Sequence, residues 1–280
     1  MSNTIFDQMI GRYVIKTSED RINAMHEVMQ EIALAGLYRA GFFNKAAFYG
    51  GTCLRIFHSL PRFSEDLDFS LIQSEPDFSL EPYFDAIIDE FLAMGRKVVI
   101  SKKEQKKPSA IESAFLKDDT EIYNIRFQSN PTIKIKIEVD TQPPKEFSTE
   151  PKLLVLPFSF MVRCFTLPDL FAGKMHALLY RSWKKRVKGR DWFDFEWYIR
   201  HNIPLGFEHF VNRAQQTQGH KPSMSPTILK ELLKKKIIDT DINLVKNDVR
   251  PFIKDPSIMD IWSTDYFSQL IDFLKIQINP

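Results

Sequence analysis

Ala46-Ala47-Phe48-Tyr49-Gly50-Gly51-Thr52-Cys53-Leu54-Arg55 is the stretch on which the fold turns. Its first four residues read as a short buried strand. The two glycines end that strand, and Thr52 through Leu60 reads as a helix stopped by Pro61, whose ring cannot continue one. Paired glycines let a backbone approach a phosphate closely, and a helix start presents N–H groups at the positive end of its dipole. Such a turn also serves as a plain structural connection, so alone it decides nothing about function.

The next segment sharpens the reading. Glu65–Leu71 is predicted to be a strand, and Asp66 and Asp68 lie two apart on it, which points both carboxylates from one face. Adjacent like charges repel, so a fold gains little from them unless a cation lies between. Mg²⁺ prefers hard carboxylate oxygens and completes its shell with water and substrate phosphates. Leu67 and Phe69 anchor the opposite face. Taken without its neighbours, the pair also suits a solvated acidic strand edge.

A third carboxylate is expected from Thr132–Asp140, the clearest strand in the chain. Ile133, Ile135, Ile137 and Val139 face one side, with Lys134, Lys136, Glu138 and Asp140 on the other. Either Glu138 or Asp140 could reach the pair if this strand neighbours the one carrying Asp66 and Asp68. The same polar row also suits an exposed sheet face with cross-strand ion pairs.

Around this nucleus the chain divides into two characters. Residues 1–17 read as an N-terminal extension. Ser18-Glu19-Asp20 opens an amphipathic helix carried to about Ala40 by Ile22, Met25, Val28, Met29 and Ile32. Leu80–Met94 is predicted helical, Lys97–Ser101 extended, and Glu121–Gln128 and Phe160–Cys164 strands. From Leu167 onward helices are expected over Pro168–Trp183, Arg190–Arg200, Gly206–Gln216, Pro226–Lys236, Asp241–Phe252 and Ile261–Ile276. The expected class is therefore α+β: a mixed sheet flanked by helices over residues 1–165, then a helical domain over 166–280 that contributes to the active-site cleft.

Bulk properties exclude several classes. The chain has 280 residues, 44% hydrophobic and 26% charged, ordinary for a globular protein, with 24 phenylalanines implying an aromatic-rich core. Cys53 and Cys164 make no disulfide framework and show no metal-ligand spacing, and none of the six histidines falls in a metal motif. No apolar run reaches the roughly 18–20 residues that span a bilayer. Without a signal-peptide pattern, a cytoplasmic location and no membrane partner are expected. The net charge is only +2, but basic residues bunch at Lys102–Lys107, Arg181–Arg190 and Lys230–Lys236.

Gly50-Gly51-Thr52-Cys53-Leu54-Arg55, followed by Arg62-Phe63-Ser64-Glu65-Asp66-Leu67-Asp68-Phe69, resembles the first motif of the AbiEii/AbiGii abortive-infection toxins, members of the DNA-polymerase-β-like nucleotidyltransferase superfamily. Asp169-Leu170-Phe171-Ala172-Gly173-Lys174 and Lys188-Gly189-Arg190-Asp191-Trp192-Phe193-Asp194 resemble that family's downstream lysine and Arg-Asp-x-x-Asp motifs. The match runs from about residue 45 to about 200.

This resemblance implies transfer of a nucleotide from a nucleoside triphosphate, with Mg²⁺ or Mn²⁺ and a two-metal mechanism. Gly50, Gly51 and Thr52 would cradle the triphosphate, with Ser64 nearby and Arg62 adding charge. Asp66 and Asp68 would bind metal, with Asp140, slightly favoured, or Glu138 as the third carboxylate. Lys174 would contact a phosphate and Asp194 would complete the downstream motif, Asp191 being the alternative. The implied acceptor is RNA, such as a tRNA 3′ end, and the implied partner an antitoxin encoded nearby. Arg181, Lys184, Lys185, Arg186 and Lys188 are candidate RNA contacts, though the run equally suits a solvated loop. Transfer onto a protein hydroxyl, or nucleotide or partner binding without catalysis, are the competing readings. Arg190 and Asp194, four apart, also suit an intrahelical ion pair.

Overall fold

The computed structural model describes residues 4–102, 120–127, 133–144, 146–180, 187–219 and 223–278. The chain divides into two compact units: Met1–Phe57 with Ser64–Pro143 and Thr149–Cys164, and His58–Phe63 with Pro144–Ser148 and Phe165–Pro280.

The first unit runs α1 (Ile5–Ile10), α2 (Ser18–Arg39), β1 (Ala46–Tyr49), α3 (Gly50–His58), β2 (Leu67–Leu71), α4 (Phe84–Ala93), β3 (Val98–Lys102), β4 (Thr120–Phe127), β5 (Ile133–Asp140), β6 (Thr149–Leu154) and β7 (Phe160–Phe165). Among the described residues its strands form one seven-stranded mixed sheet in the order β3-β4-β5-β2-β1-β7-β6. Strands β1 and β2 are antiparallel, whereas β2–β5 and β1–β7 are parallel. The alternation read in β5 holds: Ile133, Ile135, Ile137 and Val139 are buried.

Helix α2 starts where a helix should. Thr17 accepts from the Asp20 N–H, and the Asp20 carboxylate reaches back to the Thr17 N–H, closing a capping box. Gly36 lets α4 approach, because a Cβ there would meet the Ile87 Cα at 2.6 Å. The N-terminal extension is more than that. Residues Thr4 and Asp7 form a second capping box, and α1 buries Phe6 and Met9. Arg12 pairs with Glu31, and Tyr13 donates to Glu27 at 3.0 Å, so α2 holds the segment.

The second unit contains α5 (Leu167–Tyr180), α6 (Gly189–Arg200), β8 (Leu205–Gly206), α7 (Phe207–Gln218), α8 (Pro226–Ile238), α9 (Ile242–Val249), α10 (Thr264–Leu270) and β9 (Ile276–Gln277). The aromatic residues of α6 pack inside this unit: Tyr198 lies face to face with Phe171 at 4.2 Å, and Trp192 meets Phe267 edge-on at 5.1 Å. The single helix expected over Ile261–Ile276 is instead α10, a 3-10 turn and β9, which pairs in parallel with β8. Ser263 caps α10 through the Tyr266 N–H, a start signal the apolar spacing did not carry. Among the described residues no helix is long and apolar enough to cross a membrane. Both cysteines are free and buried.

Candidate active site

In the first unit the site is assembled at the end of β1. Gly50 adopts φ +82°, which turns the chain directly from β1 into α3. A non-glycine residue would be strained there. The opening serves a neighbour: a Cβ on Gly50 would lie 2.2 Å from Asp68 Oδ2, so the Asp68 carboxylate occupies the space the glycine leaves. Tyr49 and Asp68 are register partners across β1 and β2.

The loop before β2 is held from two sides. Thr52 is wholly buried, and its hydroxyl lies against the Asp66 carbonyl and 3.0 Å from Ser64 Oγ. A carbonyl only accepts, so the Thr52 proton goes to Asp66 O and the Ser64 hydroxyl donates to Thr52. From α2, the buried Gln30 amide donates to the carbonyls of Ser64, at 3.1 Å, and Glu65, at 2.9 Å. Two acceptors dictate which way that amide points. Among the described residues its buried Oε1 finds no hydrogen-bond partner, a cost of about 1–3 kcal/mol for a glutamine where an apolar residue would have none. Sequence reading missed Gln30, since a lone polar residue on an apolar helix face carries no motif.

Parallel pairing of β2 with β5 places Asp68 beside Glu138 and Ser70 beside Asp140. Glu138 is therefore the carboxylate next to Asp68. Asp140 is buried further along the strand, where Oδ1 accepts from the Gln142 N–H at 3.2 Å. Lys136 shares the polar face and forms an ion pair with Glu138. Burial works against its charge, but Glu138, Asp66 and Asp68 outweigh burial and keep the ammonium protonated.

The donor chemistry fits a hard divalent ion, since Asp66 and Asp68 both offer carboxylate oxygens, although β2 begins at Leu67 rather than at Glu65 as expected and Asp66 lies in the loop just before it. Among the described residues, however, no group of three or more His, Cys, Asp or Glu side chains is arranged to hold a metal. The residues thus suit an ion completed by phosphates and water, as Mg²⁺ usually is, rather than an all-protein cage.

The second unit holds the downstream motif residues. Asp194 is completely buried and accepts from Arg62 Nε and Nη2, both at 2.6 Å, and forms an ion pair with Lys174 Nζ at 2.8 Å. Asp191 lies 3.5 Å from the same ammonium. Burial alone would raise the Asp194 pKa. The attraction of Arg62 and Lys174 overrides it and holds the carboxyl down at about 2.

Arg62 departs from expectation. It is 2% exposed, and its third donor, Nη1, reaches the Phe63 carbonyl at 2.9 Å. A guanidinium committed in this way is an internal partner of Asp194 and not a free charge for a triphosphate. Nor does the Arg190–Asp194 reading hold as the main contact of Asp194. Arg190 instead lies 4.1 Å over the Phe252 ring. Of the tentative RNA contacts, Arg181, Lys184, Lys185 and Arg186 lie outside the described residues, and Lys188 precedes α6.

A mixed sheet with a strand–Gly-Gly–helix turn set against paired aspartates defines a nucleotidyltransferase fold. The model of the family "Nucleotidyl transferase AbiEii toxin, Type IV TA system" matches residues 32–269, and the chain belongs to that family. No curated protein matches it significantly in sequence. Among solved structures it is similar to MenT4, a nucleotidyltransferase toxin from Mycobacterium tuberculosis H37Rv. That likeness has a TM-score of 0.55 and 15% identity, covering 95% of this chain and 88% of that one. It is also similar to JHP933 from Helicobacter pylori, with TM-score 0.51, 18% identity, and 89% and 88% covered. At these identities the likenesses establish the fold.

Proposed function

We propose that this chain is the toxin of a toxin–antitoxin pair and transfers a nucleoside monophosphate from a nucleoside triphosphate to RNA, such as a tRNA 3′ end. The observation that carries the reading is the Asp68 carboxylate seated against Gly50, beside Glu138 and two residues along the chain from Asp66. Family membership supplies the reaction class and, with it, a triphosphate substrate and an antitoxin partner.

In the reaction an acceptor hydroxyl oxygen bonds to the α-phosphorus and loses its proton, while the bond to the β-phosphate oxygen breaks and pyrophosphate leaves. Mg²⁺ or Mn²⁺, one or two ions, would be held by Asp66 and Asp68 and would supply charge stabilisation to the phosphates. Backbone N–H groups of the first turn of α3, at Gly51 and Thr52, face the positive end of that helix and suit the triphosphate. Thr52 and Ser64 act through each other, fixing the loop that carries Asp66. Lys174 is assigned to neutralise phosphate charge, with Asp194 and Asp191 setting its position. Phosphoryl-type transfer depends mainly on such positioning and electrostatics. The basic run around Lys184, Lys185 and Lys188 is assigned to the RNA backbone, with the salt sensitivity such contacts bring.

The test is incubation of the purified protein with total RNA, Mg²⁺ and each α-labelled nucleoside triphosphate, beside Asp68→Ala. Label entering RNA with the wild type alone supports the proposal and names the base. Label on protein would replace the acceptor. Nucleotide binding in both proteins with no label anywhere would leave a binding module.

A further inference from the structure

At the end of β1 away from the Gly50 turn, the first unit holds a cavity of about 830 Å³. Its lining includes Tyr38, Arg39, Phe43 and Asn44 from the chain before β1, and Met161 and Arg163 from β7. The whole of β1, roughly 13 Å of extended chain, lies between Asn44 and Gly50. The volume is in the range of pockets that hold small organic ligands. Its charges are unequally matched. Arg39 gives Nε to Glu90 at 2.5 Å and lies 4.0 Å over the Phe158 ring, so Nη1 and Nη2 are the donors it has left. Lys45, next in the chain to Asn44, pairs with Glu75, and Lys152 on β6 pairs with Glu150. Arg163, half-buried, makes no ion pair or hydrogen bond among the described residues, and no lining residue is acidic. A guanidinium drawn partly out of water without a counter-charge is costly, and an anion in the cavity removes that cost. The apolar part of the lining is as open. Tyr38 is 41% and Met161 42% exposed, although the Tyr38 ring is anchored against Phe160 at 5.3 Å. Met161 and Arg163 are two apart on β7 and so share a face.

We propose that this cavity is a second ligand site, which binds a small phosphate monoester carrying a planar ring, a class that includes mononucleotides and aryl phosphates. The phosphate meets Arg163 and Arg39, and the ring lies against Tyr38 and Met161. Guanidinium forks match phosphate oxygens in pairs. Nη1 and Nη2 of Arg39, the fork of Arg163 and the side-chain amide of Asn44 offer more N–H donors than the two oxygens of a carboxylate can use. The three terminal oxygens of a phosphate suit them better. A flat ring gains from the aromatic face of Tyr38 and the polarisable sulfur of Met161. The site differs in kind from the β1–α3 turn. Its lining has no carboxylate, so it takes the anion directly and needs no divalent metal as a bridge. The proposal does not depend on the transfer reaction.

The experiment is a nuclear magnetic resonance titration of the full chain with carbon-13 methionine methyls, the Met161 signal being assigned from Met161→Leu. Phenyl phosphate and adenosine monophosphate are titrated in EDTA, then again with Mg²⁺ and a saturating non-hydrolysable nucleoside triphosphate analogue. Inorganic phosphate and benzoate, each carrying half of the expected features, are the comparison probes. The Met161 signal is expected to shift saturably with at least one monoester, at the same midpoint in both conditions. Which monoester binds tells nucleotides from other aryl phosphates. Arg163→Gln, at an unchanged thermal midpoint, should raise that midpoint concentration about 10-fold or more, the loss of one charge-assisted contact. No saturable shift with either monoester, or a shift that Arg163→Gln leaves untouched, would overturn the site. A response abolished by the triphosphate analogue would assign the ligand to the β1–α3 turn instead. Benzoate binding as tightly as phenyl phosphate would overturn the choice of phosphate.

Discussion

Asp68 sits in the space that a side chain on Gly50 would fill: a Cβ there would come within 2.2 Å of the carboxylate. The glycine therefore does two things at once. Its φ of +82° makes the strand-to-helix turn, and its bare Cα lets the Asp68 carboxylate close onto that turn. Gly50→Ala is expected to cost about 1–2 kcal/mol in backbone strain. Displacing Asp68 by a fraction of its own width should lower the transfer rate further, by about 100-fold. Thermal denaturation and initial rates measured together check this. An alanine variant with an unaltered rate would mean that Asp68 does not need its present place.

Arg62 and Asp194 form a doubly hydrogen-bonded pair with almost no exposure on either side. Breaking one member of a buried pair strands the other charge, at about 3–5 kcal/mol. Arg62→Met should lower the urea midpoint accordingly. Adding Asp194→Leu should recover part of the loss, because no carboxylate then remains buried beside Lys174 without its main partner. A second substitution that only deepened the loss would show that the carboxylate has other indispensable partners.

Acid should reach the same pair. The Asp194 carboxyl titrates at about 2 in the folded chain against 3.8 as a free group. A depressed folded value stabilises the fold fully at pH above the unfolded value. That contribution is lost as pH falls from near 4 through about 2. The stability difference between wild type and Asp194→Asn, followed by urea unfolding at a series of pH values, should be flat near neutrality and shrink across that window. A difference independent of pH down to 2 would contradict the assignment.

Gln30 predicts a separation of activity from stability. Its amide donates to the carbonyls of Ser64 and Glu65, and among the described residues its own oxygen has no partner. Gln30→Leu should move the thermal midpoint little, since a buried polar cost is removed along with two hydrogen bonds. The half-saturating Mg²⁺ concentration should rise about 10-fold or more, the usual consequence of losing a group that orients metal ligands. A fall in stability with an unchanged Mg²⁺ requirement would make Gln30 merely structural.

Much of this protein follows from local sequence periods. Alternation in Ile133–Asp140 defined β5, and Tyr49 followed by two glycines defined the β1–α3 turn. The spacing of Asp66 and Asp68 singled both out without any knowledge of the sheet, although β2 itself starts only at Leu67. These features depend only on residues within a few positions of one another, which is why the sequence displays them. The N-terminal helix escaped because its six residues are too few for a period to emerge, although its capping box was present in Thr4 and Asp7.

What tertiary structure decided were pairings between distant segments. Whether Glu138 or Asp140 meets Asp68 depends on the register of β2 against β5, two strands far apart in sequence, and either offset satisfies the alternation equally. Arg62 and Asp194 are 132 positions apart, and an arginine next to a metal motif reads as a substrate contact until the fold buries it against a carboxylate. Charge type is written in the sequence. Which opposite charge each group meets is set only when burial removes water and leaves one partner within reach.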